Sequence, residues 1–288
     1  MAEAKAIDGR SLVRRRAGLR LWLSASWLGL LCLVALFAPW IAPKDPLAQD
    51  LFLGRLPPFW MPGAEPGYLL GTDSLGRDVL SRIVHGARVA LAVALIAGTI
   101  TCLIGATLGL LAGFLRGWVD MIISRMIDIW MAFPPVLFSI LLIAVLGPGL
   151  VSIIIAIVVI DWTRFARVVR AEAMAQGAMD YVASARVAGR GRPGTMVREI
   201  LPNVLPTIVV LLTLEMGIAV IVEAILSFVN LSISTDDPTW GGMISEGRTS
   251  VHQAWWVLVF PLVTLFLTVL AFSQLGEGLK DRFDPVLR

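Results

Sequence analysis

Residues Val89–Leu115 read VALAVALIAGTITCLIGATLGLLAGFL, 27 residues without a charge. A helix rises about 1.5 Å per residue and the hydrocarbon layer is about 30 Å thick, so about 20 apolar residues suffice to span it. The run therefore predicts a spanning helix. Within it Gly105, Gly109 and Gly113 recur every fourth residue, as do Ala90, Ala94 and Gly98. Small residues at that spacing let helix backbones approach closely in lipid. Packing inside one bundle is the favoured reading of this stripe, with a seam between two copies as the alternative.

Other runs repeat the signal. Leu21–Ile41 and Ala254–Gly276 carry no charge, Ile129–Ile160 is divided by Gly147-Pro148-Gly149, and Val204–Val229 is interrupted only by Glu215 and Glu223. The 288 residues are 57% hydrophobic and only 16% charged, with a mean hydropathy of +0.82. A soluble domain carries about 25% charged residues, so the chain is expected to be an all-α integral membrane protein. The expected helices are 21–42, about 89–115, 121–146, 150–167, 203–229 and 254–276. The fourth is the weakest, because Asp161 and Arg164 interrupt it. Pro134-Pro135 removes two backbone donors and predicts a kink in the third. Arg14-Arg15-Arg16 precedes the first run as in a signal peptide, but 21 apolar residues exceed the usual h-region of about 7–15, so a retained helix is expected.

Lys and Arg set the orientation. With the N-terminus inside, 18 of the 24 fall in segments 1–20, 116–125, 164–200 and 280–288, and 6 fall outside. Both termini are expected in the cytoplasm, with tails at 1–20 and 278–288, an outer segment at 43–86 and a membrane domain over 87–277. Within that domain lie an inner loop at 168–200 and an outer loop at 230–253. Trp22, Trp27, Trp40, Trp118, Trp130, Trp255 and Trp256 sit near the expected span ends, where indole rings favour the headgroup zone. The same distribution argues against nucleic acid despite the net charge of +3. Cys32 and Cys102 lie in apolar runs, and His85 and His252 are the only histidines, so neither a disulfide nor a metal site is expected.

Two loops are longer than a connection needs. The outer one is rich in Pro and Gly, so little regular structure is expected before about residue 74. The inner one has helix-forming composition over Val168–Val187 and breakers at Gly189–Gly194. Gly189-Arg-Gly-Arg-Pro-Gly194 formally matches GxGxxG, but no strand precedes it, and it reads as a turn between helices. A P-loop is absent from the sequence. Glu215 and Glu223 are expensive at bilayer depth. They are read as pathway or gate candidates together with Met216 and Ser227, a buried structural hydrogen bond being the alternative for Glu223.

Five motifs in order resemble one family from about residue 20 onward. They are Gly71-Thr-Asp-Ser-Leu-Gly-Arg-Asp-Val-Leu-Ser-Arg82 with Gly86-Ala-Arg88; Asp180-Tyr-Val-Ala-Ser-Ala-Arg-Val-Ala-Gly189 with Ile200-Leu-Pro-Asn203; Glu223-Ala-Ile-Leu-Ser-Phe228; Pro238-Thr-Trp-Gly241; and Leu275 to Pro285. The chain resembles the C-type permeases of dipeptide and oligopeptide ABC importers. The resemblance implies the six-helix type I importer fold, with a similar B-type permease, two cytoplasmic ATPase subunits and an extracytoplasmic solute-binding protein as partners. It also implies an inner-membrane location and no catalytic residue or cofactor on this chain, ATP and Mg²⁺ being held by the ATPases.

The second motif is similar to the family's EAA loop, which forms a coupling helix against the ATPase. Carried over by position, the coupling residues are Asp180, Tyr181, Ala183, Ser184, Ala185, Arg186, Gly189, Arg190 and Arg192. The motif's usual Glu falls at Ala183 and its next Ala at Ser184, which shifts the expected contact toward Arg186, Arg190 and Arg192. Asp73, Asp78, Asp236, Asp237 and Trp240 are the expected contacts to the binding protein, although Asn230–Asp237 departs from the family's Gly- and Pro-rich loop. Importers of the same class carry nickel complexes, glutathione or opine-like solutes, and these remain alternatives. A homodimeric channel or secondary transporter is the alternative from a different class.

Overall fold

The computed structural model describes residues 9–231 and 237–283. In chain order the helices are α1 (Gly9–Leu36), α2 (Ala38–Ile41), α3 (Val79–Leu115), α4 (Gly117–Met131), α5 (Pro135–Leu146), α6 (Leu150–Gln176), α7 (Asp180–Val187), α8 (Arg192–Thr195), α9 (Leu201–Phe228), α10 (Trp240–Ser250) and α11 (Trp255–Phe283). The architecture is an all-helical bundle in which α3 packs mainly on α6 and α9, and α11 packs on α9, α1 and α10.

Among the described residues, three helical stretches are long and apolar enough to cross a membrane: Val79–Leu115, Arg192–Phe228 and Trp255–Phe283. The α4–α5 pair adds a fourth candidate, bent by 86°. Ala132–Pro134 forms the break, since Pro134 takes an extended backbone and Pro135 opens the next helix. Large apolar side chains such as Leu23, Leu103, Leu137 and Phe266 stand exposed around the bundle. A soluble surface would not leave so many uncovered.

α3 begins at Val79 rather than near residue 89. Counting charges ended the span at Arg88, but Asp78 caps the helix by accepting from the Ser81 N–H at 2.7 Å. Its 37 residues extend about 55 Å. The glycine stripe faces α6. A Cβ on Gly105 would meet Trp162 O at 2.6 Å, one on Gly109 would meet Ala166 O at 2.6 Å, and one on Gly113 would meet Arg170 O at 2.5 Å. The stripe is therefore filled from within the chain. α6 itself runs on to Gln176, because Arg170 and Arg167 face Asp120 and Asp128 of α4 instead of ending the helix.

α8 and α9 are joined through a wide five-residue turn, Met196–Ile200, of the i→i+5 kind. Pro202 follows it and lacks the N–H that the Arg198 carbonyl would otherwise receive. The side-chain amide of Asn203 donates to the Glu199 carbonyl at 2.7 Å, satisfying one acceptor left by the irregular turn.

Candidate functional site

α3 connects two ends of the bundle, and each end carries one of the sequence motifs. At its C-terminal end lies α7. Val182 is buried there among Phe165, Val169, Ala173, Ile200 and Val204. The Tyr181 hydroxyl donates to Gln176 Oε1 at 2.8 Å, and burial pushes that hydroxyl's pKa up. These anchors leave Asp180, Ala183, Ser184, Arg186, Gly189, Arg190 and Arg192 exposed, with Ala185 half-buried. Val187 is 90% exposed beside them.

The turn after α7 is a paired C-cap. Gly189 N–H donates to Arg186 O at 3.0 Å and Arg190 N–H donates to Ala185 O at 3.1 Å, with Gly189 at φ +84°. Arg190 also pairs with Glu199. The Arg186 guanidinium lies 5.5 Å from the centre of the Phe114 ring at the end of α3. The resemblance had pointed to these residues by position. It did not show Val182 as the anchor or Glu199 as the partner of Arg190, since both depend on the α6–α9 packing.

The other end holds the motif Gly71–Arg82, which folds into a buried turn. Asp73 accepts from Leu75 N–H and Arg77 N–H, and from Arg77 Nε at 2.6 Å. Arg77 reaches on to Glu246 of α10 at 2.7 Å, and Arg82 lies 3.5 Å from Asp73 and 3.4 Å from Glu246. Thr72 is bound on both sides by Leu53 and Leu56, and its carbonyl accepts from Trp256 Nε1 at 3.1 Å. Trp240 enters beside Gly86, where a Cβ would lie 2.8 Å from its ring, and donates to Ile83 O at 3.0 Å.

This arrangement corrects three of the expected surface contacts. Asp73, Asp78 and Trp240 are buried, because they bind their own chain. Burial raises the Asp78 carboxyl's pKa, against the bonds from Ser81 that lower it. Asp237 is exposed, and Asp236 lies outside the described residues. Trp256, expected in a headgroup belt, is also buried. Arg77, Arg82 and Glu246 were missed, because Glu246 is distant in sequence and carries no local motif.

Between the ends lie the intramembrane candidates. Glu215, Glu223 and Ser227 of α9 are all buried. The Ser227 hydroxyl donates to Glu223 Oε1, one turn away. Glu215 occupies different surroundings. It lies 4.0 Å from Arg164 of α6, which lies 4.0 Å from Asp161 on its own helix. Met216 is half-buried, and its Cγ would be 3.1 Å from a Cβ on Gly98 of α3.

Comparison with known proteins agrees with this anatomy. Residues 105–288 match the binding-protein-dependent transport system inner membrane component family. Residues 21–58 match the N-terminal TM domain of oligopeptide transport permease C. The di/tripeptide transport system permease protein of Pseudomonas aeruginosa is 40% identical over 259 residues, covering 90% of this chain and 86% of its own length. The dipeptide transport system permease protein of Haemophilus influenzae is 38% identical over 90% of this chain and 88% of its own length. The glutathione transport system permease protein of Pectobacterium atrosepticum is 38% identical over 90% of this chain and 84% of its own length. With its apolar helices, ordered motifs and family match taken together, the chain belongs to the binding-protein-dependent transport system inner membrane components, as a multi-pass permease subunit.

Proposed function

We propose that the chain is one of two permeases in an ATP-driven importer of dipeptides or oligopeptides. A similar B-type permease completes the pathway, two ATPase subunits dock from the cytoplasm, and an extracytoplasmic binding protein delivers substrate. The bundle crosses the membrane six times, through α1, α3, the α4–α5 pair, α6, α9 and α11. Both termini are cytoplasmic, as the Lys and Arg distribution favours. α7 then faces the ATPases and α10 faces the binding protein, with Asp237 on that outer side.

The observation that carries this reading is α7, a short helix anchored beneath by Val182 and exposed along Ala183–Arg192. An exposed helix held so firmly can pass on a push. When ATP draws the ATPases together, α7 moves with them. The motion reaches α9 through the wide turn at Met196–Ile200 and reaches α3 through Arg186 on Phe114. The bundle supplies two packings of similar free energy, and ATP binding biases one of them. ATP and Mg²⁺ act on the ATPase subunits. This chain's residues orient, seal and transmit.

Glutathione is a second substrate reading, favoured by the 38% identity to the Pectobacterium glutathione permease. Native mass spectrometry of the chain purified from its own membrane in mild detergent tests the assignment. Recovery with one similar permease, two ATPases and a ligand-loaded binding protein is the expected result, and the ligand mass separates peptide from glutathione. A homodimer free of ATPases would instead favour a channel or secondary transporter.

A further inference from the structure

Arg164 lies 14 residues beyond Leu150, about 21 Å along α6. A guanidinium at that depth is costly against lipid tails and almost always faces protein or a water-filled cavity. Its side chain is nevertheless 48% exposed on this chain. The carboxylates beside it, Asp161 and Glu215, are both buried, and each stands 4.0 Å away. Charge-assisted hydrogen bonds are about 2.7–2.9 Å long. The guanidinium therefore takes electrostatic support from both acids while making no hydrogen bond to either. Glu215 Oε1 is itself buried without a hydrogen-bond partner among the described residues. Asp161 and Glu215 share a side-chain hydrogen bond with each other, so the acids hold one another and leave the guanidinium's donors open on its exposed side.

We propose that Arg164 binds the C-terminal carboxylate of the substrate during its passage, with Asp161 and Glu215 holding the guanidinium from behind. This rests on the peptide-importer reading and adds a residue that determines specificity to it. Arg suits the task, because its planar fork matches a carboxylate through two parallel N–H donors, whereas Lys offers a single point charge. The support from the two acids stays loose enough for a substrate carboxylate to compete and then to leave, as a pathway requires.

The test uses the full importer in proteoliposomes with alanyl-photoleucine, a dipeptide whose photoreactive group sits next to its carboxylate. Under ATP turnover with loaded binding protein, cross-links are expected on α6 or α9 near Arg164. In Arg164→Gln both cross-linking and uptake fall about tenfold, the scale of one lost charge-assisted hydrogen bond. Arg164→Lys retains an intermediate rate. ATP hydrolysis stimulated by the binding protein stays within twofold of the parent in both, which separates this role from a failure to fold. Glu215→Gln, which conserves shape, gives a smaller loss. Cross-links elsewhere, unchanged uptake in Arg164→Gln, or a link from position 164 to a carboxylate of the second permease would overturn the proposal. Absence of ATP-dependent uptake by the parent complex would instead count against the importer reading itself.

Discussion

Arg77 and Glu246 are 169 residues apart in sequence and joined at 2.7 Å in space. Through this bond the turn ahead of α3 holds α10, and the second guanidinium hydrogen bond of Arg77 goes to Asp73. Asp73 and Arg77 are buried, while Glu246 is one-third exposed. The three residues therefore differ in what their removal should do.

Arg77→Ala leaves Asp73 as a buried carboxylate without its main partner, a change that costs about 3–5 kcal/mol. Glu246→Gln keeps a neutral acceptor at a partly wet site and should cost about 1 kcal/mol. Thermal unfolding in detergent, followed by fluorescence-detected gel filtration, should show a large drop for the first and a small one for the second. Equal midpoints would remove the clasp from the account of stability.

The α3–α6 seam makes a second prediction. A Cβ at Gly109 would stand 2.6 Å from a backbone oxygen of α6, which cannot swing away as a side-chain tip can. Gly109→Val should therefore cost about 3 kcal/mol, the upper range for overpacking. Gly29 has open space around it, so Gly29→Val should be nearly neutral in the same assay. Similar midpoints for the two variants would show that the seam is looser than these distances.

Gly189 tests backbone conformation without crowding, since nothing lies near its missing Cβ and its φ is +84°. Gly189→Ala should cost about 1 kcal/mol locally, the scale of a left-handed conformation for a residue with a side chain. Insertion and overall stability should stay normal while uptake falls and ATP hydrolysis persists. Paired uptake and ATPase assays on the same proteoliposomes decide it. Uptake equal to the parent would detach α7 from coupling.

Val182 tests the anchor of that helix. Val182→Ala removes two buried methyl groups and should weaken docking of α7 by about 2 kcal/mol. Limited tryptic digestion after Arg186 and Arg190 should then accelerate severalfold, with the spans still protected. An unchanged digestion rate would mean that the Tyr181–Gln176 bond alone holds α7.

Much of this fold is written locally. The run Val89–Leu115 carries its span in its composition, Pro134-Pro135 carries its break, and Gly105, Gly109 and Gly113 carry their close contact in their spacing. The start of α3 was hidden because Arg88 looks like a span boundary, while the cap at Asp78 depends on geometry. The clasp was hidden because Glu246 meets Arg77 only after α10 has packed. Asp73, Asp78 and Trp240 were misplaced for a related reason. Acidic and indole groups in an outer loop look like surface until their partners are found. Glu215 was visible as an anomaly, but its neighbours Asp161 and Arg164 come from another helix.

The length of α3 has a mechanical consequence. One end supports Phe114 beneath Arg186, and the other supports Gly86 beneath Trp240. A rod of about 55 Å tilted by about 10° around its midpoint carries its ends about 5 Å in opposite directions. The glycine seam obliges α6 to swing with it. A modest sideways displacement at one end of the rod thus reappears at the other end as a displacement in the opposite direction.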